Sequence, residues 1–82
     1  MTTSSTSPTI DMAFATRSGT VASFDDHEGT GTIGDHGSSV VVPFHCTRIT
    51  GASRTIAPGT AVTYVVAPGP GGLEAMAVTP RA

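Results

Sequence analysis

From Gly19 onward, apolar and polar residues alternate with a period of two. Five short runs carry the pattern: "GTVASF" (19–24), "TGTI" (30–33), "VVVPFH" (40–45), "TAVTYVV" (60–66) and "LEAMAVT" (73–79). Such alternation places successive side chains on opposite faces of a strand. Turn formers separate the runs: "DDHEG" (25–29), "GDHGS" (34–38), "APG" (57–59) and "APGPGG" (67–72). One longer connection runs from Cys46 to Pro58. Good helix formers are scarce, and Val and Thr are frequent. The pattern predicts an all-β domain of five short strands. A barrel is favoured over an open sheet, because closure removes exposed edges.

The period also assigns faces. Gly31 and Ile33 share one face of the second strand, and Thr30 and Thr32 the other. In the third, Val42 and Phe44 point one way, and Val41, Pro43 and His45 the other. The predicted core is Val21, Ile33, Val42, Phe44, Ile49, Ile56, Val62, Tyr64, Val66, Met76 and Val78. Residues 1–13 are Thr/Ser-rich without apolar periodicity, so they read as a disordered tail before a domain at 14–82.

Composition narrows the function. The chain has 82 residues, with ten glycines and six prolines, which suits one small, turn-rich domain with a thin core. Four arginines (Arg17, Arg48, Arg54, Arg81), no lysine and six acidic residues give a formal charge of −2. That balance runs against the basic patch usual in nucleic-acid binders. Cys46 is the single cysteine, so no internal disulfide forms; a free thiol fits a reducing cytoplasm. No apolar run is long enough to span a membrane, and "MTTSSTSPT" lacks the features of a secretory signal. A cytoplasmic location is expected.

Four ordered landmarks between about Gly19 and Val78 resemble the cold-shock domain, a five-stranded antiparallel OB-fold barrel. "GTVASFDDHEGTGTI" is similar to that family's first hairpin, and "VPFHCTRI" to its third strand. "RTIAPGTAVTYVV" and "GPGGLEAMAV" are similar to the stretches that complete the barrel. The resemblance implies binding of single-stranded RNA or DNA by outward aromatic rings that stack on bases while basic residues hold phosphates. It places the binding surface on Ser23, Thr30, Thr32, Pro43, His45, Arg48 and Arg54. The departures from the family are concentrated there. Thr30, Thr32, Pro43 and Cys46 stand where it has aromatics, Glu28 where it has lysine, and Ser23 near its tryptophan. Of the stacking surface, His45 remains.

Stacking contributes about 1–3 kcal/mol per base, so the loss of most of the family's rings implies weak binding. The alternative is an OB-type module that contacts a protein partner, or its own twin, through an uncharged face containing Val41, Pro43, Thr30 and Thr32. Neither reading calls for an enzyme, a cofactor, a small-molecule substrate or a membrane. His45 and Cys46 are neighbours on a strand, and alternation points them to opposite faces, against a shared metal or a catalytic pair. Asp25 and Asp26 read as a solvated Asx-type turn.

Overall fold

The ten-residue strand β1 (Thr16–Asp25) organises the fold, because its two halves pair with different partners. The structure, a computed structural model, describes residues 13–51, 54–70 and 72–81. The remaining strands are β2 (Thr30–Asp35), β3 (Val41–His45), β4 (Ala61–Gly69) and β5 (Gly72–Pro80). They form one antiparallel sheet in the order β3-β2-β1-β4-β5. Residues 16–20 of β1 pair with β4, and residues 19–25 pair with β2. A 3₁₀ turn, Cys46–Arg48, follows β3, and Ile49 then bridges Val78 of β5. The outer strands β3 and β5 therefore lie against each other and the sheet curls into an OB-type barrel without a full closing ladder. This is the predicted architecture. The segment expected to be a disordered tail lies outside the described residues except for Ala13.

Two irregularities shift the side-chain phase. Val21 pairs with Ile33, but Ser23 pairs with Thr32, so Ala22 is an extra residue in β1. The bulge turns Ser23 outward beside Thr32 and Phe24 inward beside Gly31. In the β4–β5 ladder, Thr63 pairs with Thr79 while Val65 pairs with Met76. Three steps on β5 thus match two on β4, and Ala77 takes a left-handed backbone with φ +51°. This second bulge corrects the predicted core. Ala75 and Val78 are fully buried three residues apart, whereas Met76 sits half-buried on the outer face. Val40, just before β3, also joins the core. The other ten predicted core residues are buried as expected. Each fully buried Val or Ile contributes about 1.5–3 kcal/mol relative to exposure.

Gly31 shows why the barrel needs glycine at its tightest point. It is flanked in register by Phe24 on β1 and Phe44 on β3. A Cβ at Gly31 would lie 2.5 Å from the Ser23 carbonyl oxygen and 2.8 Å from the Phe44 ring. With no side chain there, the Phe24 and Phe44 rings meet nearly parallel at 5.9 Å between centroids. They form the floor under the outer face of β2.

One polar cluster enters the core. Asp35 ends β2, and its side chain is 1% exposed. Arg17 donates to both of its oxygens, from Nε to Oδ1 and from Nη2 to Oδ2, each at 2.8 Å. Tyr64 Oη donates to Oδ1 at 2.5 Å, and Ser38 Oγ and the Gly37 amide donate to Oδ2. The Arg17 guanidinium holds the Asp35 carboxyl well below the usual carboxylate range, outweighing the opposing effect of burial. Burial, and then the hydrogen bond to Asp35, push the Tyr64 hydroxyl well above its ordinary value. The cluster ties β1, β2, β4 and the β2–β3 turn together at one end of the barrel.

Candidate nucleic-acid interface

The outer face of β1, β2 and β3 carries most of the residues singled out in the sequence. The ladders set Ser23 opposite Thr32, Thr32 opposite Pro43, and Thr30 opposite His45. Neighbouring strands lie about 4.8 Å apart, so this row crosses roughly 10 Å of surface. Ser23 Oγ and Thr32 Oγ1 hydrogen-bond to each other at 2.8 Å. Strict alternation from Val21 would have turned Ser23 inward; the bulge at Ala22 brings it onto this face.

Two grooves run across the row and share Thr30 and Pro43. The first, of about 410 Å³, continues over Phe44 and His45 to Thr47 and Arg48, with Pro70 and Glu74 completing it. The second continues over Ser23 and Thr32 to Asp25 and Glu28. Arg54 is exposed on the long connection and lines neither groove. The structure thus brings together Ser23, Thr30, Thr32, Pro43, His45 and Arg48, and leaves Arg54 apart.

Local geometry orients the imidazole of this row. His45 caps the 3₁₀ turn: its Nδ1 accepts from the Thr47 amide at 3.3 Å and lies 3.0 Å from Thr47 Oγ1. With Nδ1 accepting, the neutral ring carries its proton on Nε2. Cys46 corrects the expectation of opposite faces. Because it starts the 3₁₀ turn instead of extending β3, its Sγ lies 3.8 Å from His45 Nδ1. The thiol is half-buried against the core and sits under Gly29, where a Cβ would come within 2.9 Å of it. Gly29 itself has φ +73°, which only glycine adopts readily.

The electrostatics are uneven along the face. Asp25 Oδ1 accepts from the amides of His27 and Glu28, so the first turn is the Asx-type turn read from the sequence. Its three carboxylates, Asp25, Asp26 and Glu28, are exposed. Arg48 provides the positive charge at the other end, in the last turn of the 3₁₀ segment. Among the described residues, no three His, Cys, Asp or Glu side chains are placed to hold a metal ion. Sequence reasoning missed the Arg17–Asp35–Tyr64 cluster. Its signal was Tyr64 itself, since a buried phenol needs a hydrogen-bond partner. Thr47 and Pro70 were also missed, and nothing in their local sequence marks them.

The comparisons with known proteins agree with this geometry. Residues 17–81 match the family model described as the 'Cold-shock' DNA-binding domain. No curated protein matches the chain in sequence. Among solved structures, the Drosophila Unr CSD456 structure is similar, with a TM-score of 0.70 at 23% identity over 84% of this chain. At that identity the likeness is one of fold, and the chain spans 28% of the length of that protein. On the family match and the five-stranded barrel together, the chain belongs to the cold-shock domain family, whose members generally bind nucleic acid.

Proposed function

We propose that the chain binds single-stranded nucleic acid weakly, through the outer face of β1, β2 and β3. The observation that carries this reading is the in-register row Ser23, Thr32, Pro43 with Thr30 and His45, crossed by two connected grooves. The row offers one imidazole ring and several hydroxyls, so each bound base gains hydrogen bonds more than stacking. Arg48 is the cation at hand for phosphate. Titration of a labelled oligothymidylate or oligouridylate at low salt should give a dissociation constant in the range of tens to hundreds of micromolar. One or two phosphate contacts on a single strand imply a log–log salt slope of roughly −0.7 to −1.4. Arg48→Ala should weaken binding about threefold to tenfold and remove about 0.7 from that slope. An absence of binding at millimolar protein would sink the reading.

A protein contact is the second reading, and Phe14 favours it. This ring is 72% exposed, two residues before the start of β1, and Val65 and Met76 pair on the outer face of the neighbouring strands. Sedimentation analysis of the parent and of Phe14→Ser tests whether that face joins two copies. A concentration-dependent dimer lost in the variant supports it, and a monomer in both refutes the homodimer.

A further inference from the structure

The two grooves share Thr30 and Pro43 but differ in charge at their far ends. The first ends at Arg48; Glu74, also on its wall, packs on the Gly69 backbone, where a Cβ would lie 2.6 Å from its carboxyl carbon. The second has no cation: it ends at Asp25 and Glu28, with Asp26 and the imidazole of His27 in the same turn. A strand that lies in the first groove and continues along the second to its Asp25–Glu28 end carries its next phosphodiesters out past those carboxylates. A strand that stops in the second groove avoids them. Its last sugar then rests among Ser23, Thr30 and Thr32, where an unphosphorylated hydroxyl finds donors and acceptors.

From this charge distribution we infer that the site takes the hydroxyl terminus of a single strand in preference to the interior of one. The inference rests on the nucleic-acid reading above and specifies the end of the strand as ligand. The row is about 10 Å wide, so it holds roughly two nucleotides, with the phosphate between or behind them at Arg48. Asp25 is fixed in place because its carboxylate caps the turn through two amides. It cannot swing away from an incoming phosphate without undoing that turn. Glu28 has no such tie to the turn in its side chain, so it is the residue whose charge can be removed without altering the loop.

Amide-shift titrations with four oligothymidylates of equal length test this. One carries free 5′ and 3′ hydroxyls, one a 5′-phosphate, one a 3′-phosphate, and one is a covalently closed circle. The circle and one of the two end-phosphorylated strands should bind about fivefold to tenfold more weakly than the hydroxyl-ended strand. The other end phosphate should change affinity less than twofold, since that end leaves past Arg48. Glu28→Gln should recover about twofold to threefold for the penalised strands relative to the hydroxyl-ended one, narrowing the ratio between circle and hydroxyl-ended strand. Equal affinity for circle and hydroxyl-ended strand would overturn the inference while the nucleic-acid reading stands. Failure of all four to bind would overturn both.

Discussion

Asp35→Ala is expected to lower the unfolding free energy by about 3 kcal/mol, because it removes one partner of a buried ion pair. The variant takes away the acceptor of both Arg17 and Tyr64, and with it the anchor of the β2–β3 turn at Gly37 and Ser38. The Arg17 side chain is 28% exposed and can turn toward water, which holds the loss at the lower end of that class. The Tyr64 hydroxyl, in a residue 1% exposed, has no such escape. For a domain of this size the midpoint of thermal unfolding should fall by roughly 12–24 °C. The same cluster sets the pH limits of stability. The folded carboxyl of Asp35 titrates well below its unfolded value of about 3.9. Its contribution is therefore full above that value and is lost as pH falls from there down through the lower folded value. The Tyr64 hydroxyl titrates above its unfolded value of about 10, so its contribution is full below that pH and is lost above it. Urea unfolding across pH should show both limbs in the parent. Asp35→Ala should flatten the acid limb, and Tyr64→Phe the alkaline one. Unchanged limbs in the two variants would show that other groups govern the pH response.

Thr30→Phe combined with Thr32→Phe should tighten single-strand binding by about 2–4 kcal/mol, roughly 30-fold to 1,000-fold. Both positions point outward from β2, so the new rings occupy the grooves and leave the core alone. Thr32→Phe gives up the hydroxyl bond to Ser23, an exposed interaction whose loss costs little. Each ring would add the π-face that the present surface lacks, beside His45 and above the Phe24–Phe44 floor. Anisotropy titration with the same oligonucleotide measures the gain, and circular dichroism checks that the barrel persists. A folded variant with less than a threefold gain would show that bases do not lie over β2.

Much of this arrangement is legible in the sequence because strands keep local rules. Val42 and Phe44 inward, with Pro43 and His45 outward, follow from alternation within one uninterrupted strand. The Asp25 turn follows from a short carboxylate next to a glycine-closed loop. What failed to be legible has two causes. At Ala22 and Ala77 an extra residue changes the phase of the alternation, and neither alanine announces this. Hence Ala75, and not Met76, lies in the core. The second cause is distance along the chain. Asp35 meets Arg17 across 18 residues and Tyr64 across 29, and only the folded register brings the three together. A hint did exist: Arg17 shares its parity with Gly19 and Val21, on the face that turns inward. The candidate site was legible where a strand position decides it, as at Thr30, Thr32 and Pro43. It was not legible at Arg54, whose place depends on the path of a long connection.

The extra residue at Ala22 has an evolutionary reading. β1 serves two neighbours, and the bulge lies just past the point where pairing with β4 ends and pairing with β2 continues alone. Loss of that one residue would restore regular alternation from Val21 and keep Ser23 outward beside Thr32 and Phe24 inward beside Gly31. A single codon deletion there would thus remove the local bend and added twist of β1 without changing which side chains face the grooves.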